Sequence, residues 1–316
     1  MYAVHLGEKL SVQNLPEPVP SAGEALIRIR VAGICKTDLE LVKGYMGFQG
    51  VLGHEFVGEV VGGADASWSG KRVVGEINLG CEKCDWCGRG MERHCPNRSV
   101  LGILNKDGAM AEYLTLPYGN LLEAPEDLSD ELAVFTEPLA AACEIAEQVH
   151  LQPGMDCLVI GDGKLGLLIA QTLRVWNCRV TLLGRHESKL ALAATKDVRT
   201  TVDPDSLAAK YDMVVDATGA KESFPLAVSK TKPRGVFVLK STYAGEVDFN
   251  LAPIVIDEIQ MIGSRCGRFA PALDLLKRGQ IDVEPMIHAR HSIKDALAGF
   301  EKARTPGVLK VLLYNE

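Results

Sequence analysis

Apolar and polar residues alternate along the first 80 positions of the chain. Between Glu24 and Val31, the residues Ala25, Ile27 and Ile29 fall on one face, and charged residues dominate the other. This period of two is typical of a half-buried β-strand. Prolines and glycines divide the region into short segments, and another strand is predicted at 57–63. The pattern therefore predicts antiparallel β-structure.

The pattern changes after Pro138. Short, unbroken apolar runs there are each followed by a stretch in which apolar residues recur at helical spacing. This texture is typical of a parallel sheet covered by helices on both faces. The predicted strands are 157–160, 179–183, 213–216, 236–239 and 308–313, and the predicted helices are 165–175 and 293–304. Two further apolar segments, 254–256 and 260–263, also resemble strands.

These elements predict an α/β chain with two domains. A β-rich domain is expected at 1–138 and a doubly wound parallel-sheet domain at 139–281, and a C-terminal segment, 282–316, is expected to return to the first domain. A length of 316 residues fits two domains, since one domain takes about 150.

Composition excludes several function classes. The chain has 41 acidic and 34 basic residues, a net charge of -7 that argues against a nucleic-acid partner. No apolar run approaches the ~18 residues of a membrane span, and the start lacks the basic and apolar segments of a secretory signal. Several cysteines lie close together in the sequence, and they must stay reduced to bind a metal. We therefore expect a cytoplasmic protein without a membrane partner.

Four of the nine cysteines lie within fifteen residues, at the spacing C-x2-C-x2-C-x7-C. Four thiolates at this spacing predict a structural zinc ion, whose closed coordination stabilises a loop without doing chemistry. An iron–sulfur cluster is the alternative, because C-x2-C-x2-C also occurs in ferredoxins. The four residues are Cys81, Cys84, Cys87 and Cys95, while Cys143, Cys157, Cys178 and Cys266 are predicted to be buried thiols.

A glycine-rich segment, Gly161-Asp-Gly163-Lys164-Leu165-Gly166, follows an apolar run and opens a predicted helix. In this context a G-x-G-x-x-G segment predicts dinucleotide binding, although the same letters can form an ordinary turn. NAD enzymes place an acid about twenty residues further on, at the ribose. Gly184 and Arg185 stand there instead, which favours NADP over NAD unless Arg185 is merely exposed.

Two short motifs supply ligand types that zinc prefers, Cys35 in the first and His54 in the second. Alone, each is weak, because a single cysteine or histidine is more often a buried or surface residue. The motifs Cys-x-Thr-Asp (35–38), Gly-His-Glu-x-x-Gly (53–58) and Glu-Pro-Leu (137–139), the cysteine cluster and the glycine-rich turn occur in the order of the zinc-dependent medium-chain dehydrogenases, which the whole chain resembles.

The resemblance implies a GroES-like catalytic domain beside a Rossmann domain. It also implies a catalytic zinc bound by Cys35, His54 and Glu137, as in polyol and threonine dehydrogenases. Glu55 matches a neighbouring carboxylate that can replace a ligand, so the choice between Glu55 and Glu137 stays open. Three protein ligands leave a position for an alcohol or carbonyl oxygen.

The resemblance assigns further roles. Thr37 would pass the substrate proton on, and Asp38 would orient the His54 ring. Glu40 stands where many relatives have a relay histidine, so either its carboxylate or water would end the relay. Coenzyme contacts are implied for Lys189 at the ribose and for Thr218 in the same crevice. Lys310 matches a basic position near the pyrophosphate and Glu55, with an exposed strand lysine as the alternative.

The expected function is therefore that of a zinc-dependent, NADP-linked dehydrogenase of an alcohol, including polyols or sugar-derived alcohols, or of a reductase of the matching carbonyl. By analogy with relatives, a homodimer or homotetramer is expected. A zinc-independent quinone or enoyl reductase would lack both metal motifs. A non-enzymatic zinc and nucleotide-binding module would need only the closed cysteine site.

Overall fold

The computed structural model describes residues 1–242 and 246–315. Its strands are β1 Tyr2–Leu6, β2 Leu10–Asn14, β3 Glu24–Ile34, β4 Gly50–Val51, β5 Glu55–Gly63, β6 Arg72–Gly75, β7 Asn78–Leu79, β8 Ser99–Val100, β9 Tyr113–Pro117, β10 Leu121–Glu123, β11 Asp156–Ile160, β12 Arg179–Leu183, β13 Arg199–Thr201, β14 Tyr211–Asp216, β15 Thr231–Leu239, β16 Gln260–Gly263, β17 Ile287–Ser292 and β18 Lys310–Tyr314.

The helices are α1 Lys36–Val42, α2 Asp85–Gly88, α3 Asp130–Ala133, α4 Thr136–Gln148, α5 Lys164–Val175, α6 Glu187–Ala194, α7 Phe224–Lys230, α8 Ala252–Ile256, α9 Phe269–Lys277 and α10 Ala296–Arg304. Short 3-10 helices occur at Tyr45–Gly47, Ala66–Trp68, Glu92–His94, Tyr118–Asn120, Pro204–Ser206, Lys221–Ser223, Glu284–Met286 and Ile293–Asp295. Of the helices in the two described stretches, none combines the length and the apolar character needed to traverse a lipid bilayer.

Contacts divide the chain into two compact units. Unit 1 comprises Met1–Glu137, Phe269–Gly279 and the chain from Val283 onward, and unit 2 comprises Pro138–Arg268 and Gln280–Asp282. The domain limits given from the sequence stay predictions.

Unit 1 is built on a mixed sheet with the order β10-β6-β5-β3-β18-β17, and β9 also pairs with β3. The predicted alternation on β3 is confirmed, because Ala25, Ile27 and Ile29 are buried while Arg28 and Arg30 are exposed. Strands β5 and β18 both run antiparallel to β3, one on each side. The central strand therefore brings residues of these two distant segments close together.

Unit 2 holds a parallel sheet with the order β13-β12-β11-β14-β15-β16 among the described residues. This order is that of a Rossmann sheet, so the predicted doubly wound fold is confirmed. The central strand β11 is buried from Cys157 to Ile160, as its unbroken apolar run predicts. The order reverses between β12 and β14 on either side of β11, and ligands bind at such switch points.

One expected strand is wrong. Residues 254–256 belong to helix α8, not to a strand, while 260–263 forms β16 as expected. Pro253 at the first turn explains the difference, because its fixed φ favours a helix start and it cannot donate to a sheet. Cys266 is partly exposed and not buried, whereas Cys143, Cys157 and Cys178 are buried as predicted.

We predict that Phe237→Ala lowers the free energy of unfolding by about 3 to 5 kcal/mol. Phe237 is fully buried on β15, and its ring meets that of Phe224 edge-on at a centroid distance of 5.3 Å. Urea unfolding followed by circular dichroism measures the loss. Val202→Ala is the control, since Val202 is 44% exposed after β13. Equal midpoints for the two variants would contradict this account of the core.

Candidate active site and metal centres

The four cysteines of the exposed lobe form one compact cluster. Their sulfur atoms all lie within 4.8 Å of one another, and Cys84 Sγ is 3.6 Å from Cys87 Sγ and 3.7 Å from Cys95 Sγ. Four thiolates around one zinc at about 2.3 Å are separated by roughly 3.8 Å, so a single tetrahedral ion fits. A multi-iron cluster would hold its cysteines around a larger core.

Backbone hydrogen bonds prepare this cluster for a cation. The backbone N–H of Lys83 is the main cause that lowers the pKa of Cys81 to about 6, so this thiol ionises readily. Desolvation and the neighbouring Cys84 raise the pKa of Cys87 to about 11. In the metal-free cluster, four thiolates would repel one another, so the four cysteines do not all ionise. A bound zinc ion relieves this repulsion.

A second ligand group lies in unit 1, where β3 ends and β5 begins. Cys35 caps helix α1 directly after β3, His54 directly precedes β5, and Glu55 is the first residue of β5. One ligand atom from each lies within 4.8 Å of the other two. Three donors of these types form the open arrangement of a catalytic zinc site. Glu137 is also buried, in the first turn of α4, but it lies outside this group of three.

Asp38 ties two of these ligands together from the first turn of α1. It is fully buried, and its Oδ2 accepts a hydrogen bond of 2.7 Å from the backbone N–H of Cys35. Its Oδ1 is 3.4 Å from His54 Nδ1. Burial alone would lower the pKa of His54, but the charges of Asp38 and Cys35 raise it well above its usual value. Without a metal, a protonated His54 balances the charge of Cys35. A bound zinc ion would balance this charge instead, so the donor set fits zinc.

Lys310 reaches the same site from β18. Its fully buried ammonium forms an ion pair with Glu55, also fully buried. Burial lowers the pKa of Lys310 to about 8, and the charges of Cys35 and Asp38 work in the opposite direction. A Cβ on Gly33 would lie 2.5 Å from Glu55 Oε2 and 3.0 Å from Lys310 Nζ, so this position on β3 has no room for a side chain. The family resemblance placed Lys310 near both the pyrophosphate and Glu55, and the ion pair is the second of these two contacts.

The two expected relay residues lie along α1. Thr37 Oγ1 is 3.8 Å from Cys35 Sγ, close to the ligand group. Glu40 forms an ion pair of 3.0 Å with Lys43, and its side chain is 41% exposed. Its carboxylate therefore meets solvent.

The glycine-rich segment in unit 2 forms the turn between β11 and α5. A side chain on Gly166 would overlap the carbonyl oxygen of Gly161, so helix and strand pack closely here. Nothing lies within 4 Å of the place that a Cβ on Gly163 would take, which leaves the backbone open to a pyrophosphate at the start of α5, beside Lys164 and Leu165. These features fit a dinucleotide.

The remaining expected coenzyme residues surround the ends of β12 and β14. Arg185 is exposed and Lys189 is partly exposed on α6. Thr218 donates a hydrogen bond of 2.8 Å to the buried Asp216. Sequence reasoning missed Asp162, whose carboxylate contacts the loop after β12. The only signal was its place inside the glycine motif, at a position where any residue is permitted.

Comparison with known families identifies the chain. The profile of the alcohol dehydrogenase GroES-like domain matches residues 21–126, and that of the zinc-binding dehydrogenase matches residues 165–278. The chain belongs to the zinc-dependent medium-chain dehydrogenase family. It is thus an oxidoreductase that acts on CH–OH groups with NAD(P), as the sequence predicted.

Relatives agree over nearly the full length of this dehydrogenase. Sorbitol dehydrogenase of Halalkalibacterium halodurans is 27% identical over 326 residues, which cover 96% of this chain and 95% of the relative. A zinc-binding dehydrogenase of Sinorhizobium meliloti 1021 bound to NADP has a TM-score of 0.91 and 28% identity, covering 99% and 98% of the two chains. An alcohol dehydrogenase of Escherichia coli CFT073 with NADH has a TM-score of 0.91, 25% identity and 99% coverage of both chains.

We predict that the dehydrogenase binds two zinc ions per chain and that Cys35→Ala binds one. Removing one of three ligands should empty the open site without disturbing the cysteine lobe. Metal analysis of purified protein measures the content. Cys143→Ala is the matched control, because burial raises the pKa of Cys143 to about 12 and this thiol belongs to neither cluster. One zinc in both wild type and Cys35→Ala would refute the catalytic site. The same measurement on Glu55→Gln and Glu137→Gln identifies the third ligand.

We also predict that Lys310→Met destabilises the zinc-free protein by about 3 to 5 kcal/mol, because it leaves Glu55 buried without its cation. The double variant Lys310→Met, Glu55→Gln should recover a large part of this loss, since no charge is then stranded. Urea unfolding after chelation measures both, with Lys302→Met on the surface of α10 as control. A double variant no more stable than Lys310→Met would argue against the ion pair as the cause.

Proposed function

We propose that this dehydrogenase oxidises polyols or sugar-derived alcohols at a catalytic zinc bound by Cys35, His54 and a carboxylate. The observation that carries the proposal is the group of three ligand atoms within 4.8 Å, supported by the buried Asp38 behind it. The printed name of the sorbitol dehydrogenase relative supports the polyol class. Glu55 is the carboxylate we assign to the site in this conformation, with Glu137 as the alternative.

The protein's own residues prepare the alcohol for hydride transfer. Bound zinc supplies a Lewis acid that lowers the pKa of the substrate hydroxyl. Asp38 fixes the Cys35 backbone and the His54 ring, which keeps the ligands in place. The Thr37 hydroxyl, near Cys35 Sγ, accepts the substrate proton as it releases its own proton to water. Glu40, whose side chain is 41% exposed, can take up this proton from water and exchange it with solvent.

The turn from Gly161 to Gly166 in unit 2 would hold the coenzyme, and the open backbone at the N-terminus of α5 would donate to its pyrophosphate.

Assembly and location complete the proposal. Exposed apolar residues on α8, directly before it and on the edge strand β16 support a homodimer or homotetramer: Leu251 is 59% exposed, Val255 73%, Ile256 77% and Met261 49%. Nine cysteines and two thiolate metal groups support a cytoplasmic location.

We predict that the zinc-loaded protein reduces nicotinamide coenzyme with a polyol carrying adjacent hydroxyls and that Thr37→Val lowers kcat by about 100-fold or more. Valine keeps the shape of threonine but cannot carry a proton. Absorbance of the reduced coenzyme measures turnover, and unchanged zinc content confirms that the site is intact. Thr37→Ser should keep most activity. A fully active Thr37→Val would remove Thr37 from the relay, and coenzyme binding without oxidation of any polyol would refute the substrate class.

A further inference from the structure

Asp162 places a carboxylate at the carboxyl end of β12, although it belongs to the turn after β11. Its Oδ2 accepts hydrogen bonds from the backbone N–H groups of Arg185 and His186, at 2.7 Å each, and lies 2.8 Å from His186 Nδ1. The side chain is 11% exposed. Burial opposes ionisation, but these donors and the charge of Lys189 lower the pKa of Asp162, so it is a carboxylate. Among the described residues, Oδ1 has no hydrogen-bond donor.

Gly184 creates the space that Asp162 occupies. It is the first residue after β12, the position from which NAD-binding Rossmann proteins extend an acid to the adenosine ribose. A Cβ on Gly184 would lie 2.6 Å from Asp162 Cβ and 2.9 Å from Asp162 Oδ2. The Asp162 side chain therefore fills the volume into which a side chain at 184 would project. The chain keeps a carboxylate at this place but supplies it from the neighbouring turn.

We infer that Asp162 is the residue that selects the coenzyme, by accepting a ribose hydroxyl on its free Oδ1 and by excluding a 2′-phosphate, so that the protein prefers NAD. This inference rests on the proposed function, because it presumes that the turn from Gly161 to Gly166 binds a dinucleotide. It assigns the opposite preference to the one that Arg185 alone predicts.

The surroundings of Asp162 disfavour a phosphate at this position. The backbone N–H groups of Arg185 and His186 would be natural donors to a phosphate, but both already donate to Asp162 Oδ2. A phosphate dianion in their place would face a carboxylate at close range. Arg185 is exposed, where water and salt weaken its attraction for an anion. The buried carboxylate is therefore the stronger influence on which ribose is accepted.

Fluorescence titration of the zinc-loaded protein with NADH and with NADPH tests the inference without relying on turnover. Wild type should bind NADH at least about tenfold more tightly than NADPH, as expected for one charge-assisted hydrogen bond gained or lost. Asp162→Asn keeps the shape and removes the charge. Its ratio of NADPH to NADH dissociation constants should fall by about tenfold or more, through weaker NADH binding and stronger NADPH binding.

A relocated carboxylate provides the matched control. The double variant Asp162→Gly, Gly184→Asp removes the Cβ that blocks position 184 and places an acid there, and the backbone of Gly184 is not in the left-handed region. The other near neighbour, Leu190 Cδ2 at 2.9 Å, is the end of a flexible side chain. This variant should regain the NADH preference that Asp162→Gly loses. Thermal unfolding shows whether each variant is folded. Recovery in the folded double variant would distinguish loss of ribose recognition from loss of loop structure.

Three results would overturn the inference. One is an Asp162→Asn ratio within about twofold of wild type. A second is a wild-type preference for NADPH that Arg185→Ala abolishes, which would place a 2′-phosphate on Arg185. The third is a folded double variant that does not regain NADH preference. Wild type that binds neither coenzyme would instead overturn the proposed function, and this inference with it, before any variant is compared.

Discussion

Two opposite charges, buried where three strands of unit 1 meet, constrain the candidate active site. Glu55 on β5 and Lys310 on β18 lie on opposite sides of β3, and they meet because Gly33 between them has no side chain. An unpaired charge in such a place costs several kcal/mol. Strand β18 must therefore stay on the sheet for Glu55 to keep the buried ion pair with Lys310 beside Cys35 and His54. A residue 255 positions away in the chain thus belongs to the metal site.

The features that the sequence predicted well are those encoded locally. Alternation on β3 and the unbroken apolar run of β11 follow directly from which faces of each strand are buried. The cysteine lobe could be predicted equally well, because its four ligands lie within fifteen residues and their spacing limits how they can surround an ion. The glycine turn could also be predicted from local sequence, because the close approach of the Gly161 carbonyl oxygen leaves no room for a side chain at Gly166.

The features that the sequence did not predict depend on contacts between separate segments. The run 254–256 has strand-like composition, but Pro253 starts a helix there, so a local backbone constraint outweighed apolar content. Family resemblance placed Lys310 near the pyrophosphate and Glu55 but left an exposed lysine as the alternative, and only the pairing of β3 with β18 shows that the ion pair is buried. The proximity of Cys35 to His54 could be predicted only because a known family shares both motifs.

The same arrangement occurs at both candidate sites. It explains why the charge at a site cannot be predicted from the residues of a single strand. Gly33 gives room to the pair of Glu55 and Lys310, and Gly184 gives room to Asp162. In each case a glycine on one segment lets a neighbouring segment supply the charge. A glycine at 184 read alone indicates an absent acid and hence room for a phosphate. Since Asp162 fills that room, the electrostatics of the coenzyme loop depend on the packing of two adjacent turns rather than on the residue that ends β12.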